Sequence, residues 1–324
     1  MKNHLEISFS GTERILLNRH SAMGDVLKAF PFAKAFKETW PRCKLTWFVC
    51  QPWDELVRPQ PYVDDVIVWE QRARNRDFLK AILEVRKRRF DVLVCLQGTD
   101  RGALLSLLSG IPVRIGGHRW ANFAYTNVSG DPAPVLGVNM EKCERPFFYV
   151  PEASREFAKR RLEGFPRPCL AAVIGASKKV KRWPVASWIE LARLLKRHGW
   201  TIVLIGQGRD EEEMAKEIVT ASSGSNIVNM VGKTSLLETS ALIDACDVAL
   251  GGDTGLLHMA YIMDVPAVGL FGPTLPERVG LAGLDKYFIA SCSEAGCERW
   301  DCPKKECLGL IDPKRVSEAL SDLV

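Results

Sequence analysis

Val248-Ala249-Leu250-Gly251-Gly252-Asp253-Thr254-Gly255-Leu256-Leu257-His258 carries an unbroken apolar run into two glycines and then directly into a helical pattern that reaches about Met263. A short continuous apolar run fits a strand covered on both faces of a parallel sheet, and Asp or Thr just ahead of a periodic segment fits a helix start. One helix later comes a second apolar run, Ala267 to Leu270, which completes a βαβ unit. The same alternation fills the rest of the chain. Cys169 to Ile174, Thr201 to Ile205 and Ile227 to Val231 read as strands upstream of it, and Ile15 to Leu17, Leu45 to Val49, Val66 to Val68, Val92 to Leu96 and Val113 to Ile115 read as strands in the first half. Helical patterns lie between most of them, Val26 to Phe36 among them. Pro184 fits a first helical turn, and Trp188, Leu191, Leu194 and Leu195 give that helix one apolar face.

The fold class is therefore α/β, doubly wound. At ~150 residues per domain, 324 residues make about two domains. Pro146, Pro151, Gly164, Pro166 and Pro168 punctuate a charged segment around Lys159, Arg160 and Arg161, and the boundary is placed there, giving domains 1–155 and 156–324. Open α/β sheets bind ligands at the carboxyl ends of their strands, so the cleft between the two domains is the expected site.

Three stretches carry candidate chemistry. In Gly251 to His258, glycines permit close backbone approach, the helix start attracts an anion, and Thr254 adds a hydroxyl on the same helix face as His258. The same residues also read as a plain strand-to-helix turn capped by Asp253 or Thr254, with His258 packing. The spacing is neither Gly-x-Gly-x-x-Gly nor a Walker loop, which argues against dinucleotide and NTPase sites. Gly175-Ala176-Ser177-Lys178-Lys179-Val180-Lys181-Arg182-Trp183-Pro184 is a basic loop between a strand and a helix. Its cations call for a counter-charge, which a diphosphate would supply, with Ser177 and Lys181 as contacts; a solvated basic loop is the competing reading. In Ser21-Ala22-Met23-Gly24-Asp25, the carboxylate at a turn after the first strand suits a general base, or merely an acid stabilised by a helix start. Glu211, Glu212 and Glu213 open another helix, where one acid is able to hold a ribose hydroxyl.

Composition narrows the classes. Hydrophobic residues at 47% and aromatic residues at 9% exclude a disordered chain. Lys+Arg 44 against Asp+Glu 39 leaves +5, spread along the sequence, which suits anionic ligands and gives no reason to expect a nucleic-acid partner. The longest uncharged apolar stretch, Gly102 to Val113, is far short of the ~20 residues of a membrane span. Lys2, His4, Glu6, Glu13 and Arg14 interrupt the first twenty residues, so no secretory signal is read and a cytoplasmic chain is expected. The ten cysteines then read as thiols or ligands rather than disulfides. Cys292, Cys297, Cys302 and Cys307 recur every five residues without the Cys-x-x-Cys spacing of zinc knuckles, and no Asp-x-Asp pair occurs, so no metal and no cofactor are assigned.

Four marks appear in order: Met23-Gly24-Asp25 after the first strand, Lys181-Arg182-Trp183-Pro184 before a helix, Gly252-Asp253-Thr254-Gly255 with His258, and Phe271-Gly272-Pro273-Thr274. Together they resemble the bacterial ADP-heptose:lipopolysaccharide heptosyltransferases, glycosyltransferase family 9, over most of the chain. The resemblance implies the GT-B fold, two Rossmann-like domains, with the acceptor on the N-terminal one, the nucleotide sugar on the C-terminal one, and a last helix able to pack back on the first. It implies an inverting glycosyltransferase that uses an ADP-heptose donor and a Kdo- or heptose-bearing lipid A core acceptor, with peripheral contact at the cytoplasmic face of the inner membrane. Asp25 matches the catalytic base, Ser177 and Lys181 match diphosphate contacts, Glu211 matches a ribose-binding acid, and Asp253, Thr254, Gly255 and His258 match the donor pocket. Some relatives have two adjacent hydroxyl residues before the basic loop, where this chain has Ala176 and Ser177. Arg101, Arg114, His118 and Arg119 are candidates for acceptor recognition or equally solvated surface charges. A non-catalytic or differently specific sugar-nucleotide-binding relative on the same fold is the alternative.

Overall fold

The structure is a computed structural model that describes residues 9–70, 75–302 and 307–324; Lys2, His4 and Glu6, read above, lie outside them. The chain divides into two compact units, Met1–Tyr149 and Val150–Val324. In the first unit the strands are β1 (Arg14–Asn18), β2 (Lys44–Cys50), β3 (Asp65–Trp69), β4 (Val92–Cys95), β5 (Val113–Gly116) and β6 (Asn127–Val128). In the second they are β7 (Cys169–Val173), β8 (Thr201–Ile205), β9 (Asn226–Asn229), β10 (Val248–Gly252), β11 (Ala267–Phe271) and β12 (Lys286–Ile289).

Both sheets are parallel and follow one plan. The first runs β3-β2-β1-β4-β5-β6, the second β9-β8-β7-β10-β11-β12. In each, the chain moves outward to one side, then returns to the middle and continues to the other side, the doubly wound order with its reversal between β1 and β4 and between β7 and β10. Ile15 stands level with Leu45 and Val92, and Ala171 with Val203 and Ala249. Helices cover both faces, so Ile15, Leu16 and Leu17 are wholly buried, as are Leu170, Ala171 and Ala172. That two-sided burial is why these strands read as uninterrupted apolar runs.

Local differences from the sequence reading have physical causes. The segment expected as one helix from Val26 to Phe36 is two, Met23–Leu27 and Phe30–Thr39. Pro31 lacks an N–H and its ring would clash with the carbonyl four residues back, so the first helix ends at Leu27 and Pro31 enters the first turn of the second. Pro184 is the N-cap of Val185–Lys196 rather than its first residue, and Trp188, Leu191 and Leu195 bury its inner face while Leu194 is half-buried. The last helix, Pro313–Ser321, packs on Val185–Lys196 and β11 in the second unit.

His20, immediately after β1, is 3% exposed and lies edge-on to Phe48 and Trp69, with Nδ1 2.9 Å from Asn18 Oδ1. Burial, reinforced by the charges of Arg101 and Arg19, pushes its pKa down to about 4 from 6.5. Between those values the unfolded chain binds a proton that the folded chain does not, so stability is full above the unfolded value and falls as pH drops toward 4. The loss should reach roughly 3 kcal/mol. Urea midpoints measured from pH 7 to 4 should show this slope in the native chain and lose it in His20→Gln; identical slopes would assign the acid sensitivity elsewhere.

Candidate functional site

In the second unit the turns after β7, β8, β10 and β11 converge around the reversal between β7 and β10. Gly252, the last residue of β10, is indispensable there: a Cβ on it would stand 2.5 Å from the Lys181 carbonyl oxygen. With none, the 3-10 turn Lys179–Lys181 passes directly over the strand end and brings the Lys181 ammonium to Asp253 Oδ2 at 2.5 Å. Both side chains are largely buried. Lys181 also lies over the Trp300 ring, 4.8 Å from its centroid, a favourable place for a cation.

Asp253 faces three polar groups, and Lys181 makes the hydrogen bond. Burial alone would raise its carboxyl; the facing His258 ring, the Lys181 ammonium and the Thr274 hydroxyl outweigh it and hold the group well below the usual carboxylate range. His258 Nε2 stands 3.8 Å from Oδ1, and the ring is 4% exposed. Thr254 is the N-cap of Gly255–Ile262, its hydroxyl oxygen accepting from Leu257 N–H at 3.4 Å, while His258 N–H reaches the Thr254 carbonyl. The N–H groups of Gly255 and Leu256 therefore precede the first intrahelical bond and are available to an anion at the helix start. Of the two capping residues considered, Thr254 holds the position, and Asp253 is released to pair with Lys181.

The basic loop is not left to a ligand for its neutralisation. Arg182 donates to the Ala176 carbonyl at 2.9 Å and to Asp210 at 3.1 Å, and Lys179 meets the same Asp210 at 3.3 Å. Arg182, then Lys179, lower the Asp210 carboxyl. The expected need for an external counter-charge is thus corrected: Asp210 and Asp253 serve three of the four cations. Carboxylates 28 to 72 residues away in sequence gave no local sign of this. Ser177 is exposed and, among the described residues, has no hydrogen-bond partner.

Glu211 lies in the first turn of Arg209–Ala221, 8% exposed, accepting from Gln207 N–H at 2.8 Å and standing 3.7 Å from Arg182. Its carboxylate occupies the space over Gly175, where a Cβ would come within 1.9 Å of it. Gly175→Ala should therefore dislodge Glu211 and cost about 1 kcal/mol of stability, the loss of a charged acceptor on the part-buried Gln207 N–H. The same change in a Glu211→Ala background should cost far less, because the obstacle has gone; equal costs in urea titrations would refute the contact.

In the first unit Asp25 sits in the short helix Met23–Leu27 just after β1, at the reversal of that sheet. Its carboxylate is 2.8 Å from Arg19 Nη2 and 3.3 Å from Lys28 Nζ, and its side chain remains 39% exposed. Arg19 also donates to the carbonyls of Asp25 and Leu96, tying the turn to the exit of β4. Arg19 and Lys28 were not singled out in the sequence; Lys28, three residues on at the C-cap of that helix, was the detectable one. Of the acceptor candidates, Arg114 is spent on the carbonyls of Ala124 and Ile111, His118 faces Asp100 at 3.2 Å, and Arg101 and Arg119 lie over the Trp69 and Trp120 rings. Burial, and after it the charges of Cys292, Cys297 and Cys302, raise the Cys307 thiol. Among the described residues, no three of His, Cys, Asp and Glu stand together as a metal site.

A model of glycosyltransferase family 9 (heptosyltransferase) matches residues 132–307. Lipopolysaccharide heptosyltransferase 1 of Pseudomonas aeruginosa is 26% identical over 337 aligned positions, covering 93% of this chain and 92% of that protein. Among solved structures, a family 9 glycosyl transferase from Veillonella parvula superposes with a TM-score of 0.84 at 20% identity, over 98% of this chain and 99% of that one. The E. coli heptosyltransferase WaaC with ADP gives 0.73 at 21% identity, over 95% and 97%. These likenesses agree with the two doubly wound sheets found here, the GT-B fold. The family match spans more than half of the sequence, and the chain belongs to glycosyltransferase family 9, the heptosyltransferase family.

Proposed function

We propose that this glycosyltransferase moves heptose from ADP-heptose to a Kdo- or heptose-bearing lipid A core at the cytoplasmic face of the inner membrane, inverting the anomeric centre without a divalent cation. The observation that carries the reading is the buried Lys181–Asp253 pair beside the helix start at Gly255. A diphosphate leaving group gains negative charge as its bond to the sugar breaks, and an ammonium fixed beside free helix N–H groups is already oriented toward such charge. In this reading Lys181 and Ser177 meet the diphosphate, Glu211 takes the ribose hydroxyls, and Asp253, Thr254, Gly255 and His258 line the donor pocket. Asp25 accepts the proton of the acceptor hydroxyl as that oxygen bonds to the anomeric carbon, and the electron pair of the broken bond leaves with ADP. The match to lipopolysaccharide heptosyltransferases supports the choice of donor and acceptor, and the missing Asp-x-Asp supports a cation-free leaving group.

The test is transfer by the metal-stripped protein, with mass spectrometry of the acceptor and NMR of the new linkage. ADP-heptose should give one added heptose of inverted configuration in the presence of EDTA, and calorimetry should rank ADP above UDP and GDP. Transfer from a UDP- or GDP-sugar alone would overturn the donor. Conversion of the donor without any acceptor would overturn the transfer reading itself.

A further inference from the structure

Unit one carries an apolar and basic outer face that neither its core nor the candidate site uses. Helices Asn75–Arg88 and Asp100–Leu108 and the 3-10 turn Asn122–Ala124 pack on the same face of the first sheet, where Phe78, Ile82, Val85, Leu105, Ala124 and Tyr125 join one buried cluster. The helix Asp100–Leu108 touches the turn, and Arg86 ties the two helices together by donating to the Leu108 carbonyl at 3.0 Å. Their inner sides are thus accounted for. Their outer sides present Leu79 and Leu83, four residues apart, Leu104 and Leu107, three apart, and Trp120 and Phe123. Trp120 is 77% and Phe123 73% exposed, more than any other large apolar side chain among the described residues.

The aromatic pair is held out by a built loop. His118, its side chain 7% exposed, accepts at Nδ1 from the N–H groups of Trp120 at 3.1 Å and Ala121 at 3.0 Å, and its own N–H donates to Asn122 Oδ1 at 2.9 Å. With Nδ1 accepting, the ring proton sits on Nε2, facing Asp100 at 3.2 Å. Such a loop fixes two large rings in water, and the Arg119 guanidinium over the Trp120 ring, 4.8 Å from its centroid, leaves both still mostly exposed.

Charge identifies what would cover them. Between Asn75 and Gly130 there are nine Lys or Arg and four Asp or Glu; Arg114 is spent on carbonyls and Arg88 pairs with Glu84 and Asp65, while Arg76, Lys80, Arg86, Lys87, Arg89 and Arg119 are exposed. Aromatic and leucine side chains set among cations suit the boundary of an anionic bilayer, where rings sit at headgroup level and Lys and Arg meet lipid phosphates. We propose that this face, led by Trp120 and Phe123, docks the protein on an anionic lipid surface. The proposal deepens the acceptor reading above, since a lipid-borne sugar brings its enzyme to a bilayer, and it rests on that reading only for the choice of partner.

The test is co-sedimentation with vesicles of phosphatidylethanolamine, with and without phosphatidylglycerol. The native chain should bind the anionic vesicles, less so as salt rises, and Trp120→Ser/Phe123→Ser should weaken binding about tenfold or more. Lys80→Glu/Lys87→Glu should weaken it too and flatten the salt dependence. Urea midpoints of the aromatic double variant should match the native chain, because the removed rings are exposed. Absence of vesicle binding, or equal binding by the aromatic variant, would overturn the proposal. So would light scattering that shows a native dimer broken by the same variant, which would make the face a contact between copies. Heptose transfer is read separately: the aromatic variant should retain transfer to a delipidated core acceptor and lose it to the same sugar in vesicles. Failure of the native chain on the delipidated acceptor would count against the proposed reaction and leave the vesicle result standing.

Discussion

Asp25→Asn should lower transfer by about 10²–10⁴-fold, the usual contribution of a positioned general base, while the fold and nucleotide binding stay as they are. The substitution keeps the shape of the side chain and removes its charge and its capacity to take a proton. Its structural cost is small for a stated reason: the carboxylate is 39% exposed, caps no helix, and holds Arg19 and Lys28 in half-exposed ion pairs of a kind worth about 0–1 kcal/mol. The nucleotide contacts proposed above all belong to the second unit, so the Kd for ADP should not move. Asp25→Glu retains a carboxylate but displaces its oxygens by about one methylene, and should fall between the two because alignment of reacting atoms is itself a large part of the rate. Turnover of Asp25→Asn within a few-fold of native would remove Asp25 from the role of base. A parallel loss of ADP binding would instead mean that the change had disturbed the fold.

What the sequence revealed and what it withheld follow from how far each interaction reaches along the chain. Ten of the twelve strands were legible as short apolar runs, which two-sided burial keeps unbroken in the central strands such as β1, β7 and β10, while β5 was read across its Arg114 and β9 from a half-buried run. The other two lack that signal for opposite reasons. β6 is the dipeptide Asn127–Val128, too short for any pattern, and β12, Lys-Tyr-Phe-Ile, is an edge strand whose Tyr287 and Ile289 stay exposed. The turn at Gly252 to His258 was legible because its chemistry is contiguous. The partners that define its electrostatics were not, since Lys181 and Asp253 are 72 residues apart and nothing in either segment states that the two strand ends meet. The basic loop was misread for the same reason: four cations in five positions look unneutralised until the fold brings Asp210 and Asp253 to three of them.

Lys181→Met carries the second large effect, and it acts on stability and function at once. The ammonium lies 2.5 Å from an Asp253 carboxylate whose side chain is 9% exposed. Removing one partner of a buried pair strands the other, at a cost of about 3–5 kcal/mol. Part of that cost should be relieved by protonation, and the sign is fixed. In the native chain the Asp253 carboxyl lies below its ordinary 3.8, so the pair stabilises the fold above that pH and is lost as pH falls through the depressed value. In Lys181→Met the group loses its ammonium while burial still opposes ionisation, its pKa rises, and the variant's deficit relative to native should shrink on acidification. Adding Asp253→Asn removes the stranded charge and should recover most of the stability at pH 7. It should not recover ADP affinity or transfer, because the diphosphate has still lost its cation, an effect of about 10²–10³ where one preorganised group meets developing charge. Urea titration beside calorimetry separates the two outcomes. A double variant that is stable and still binds ADP as tightly as native would show that Lys181 serves Asp253 alone, and the diphosphate would then have to be met by Ser177 and the helix start at Gly255.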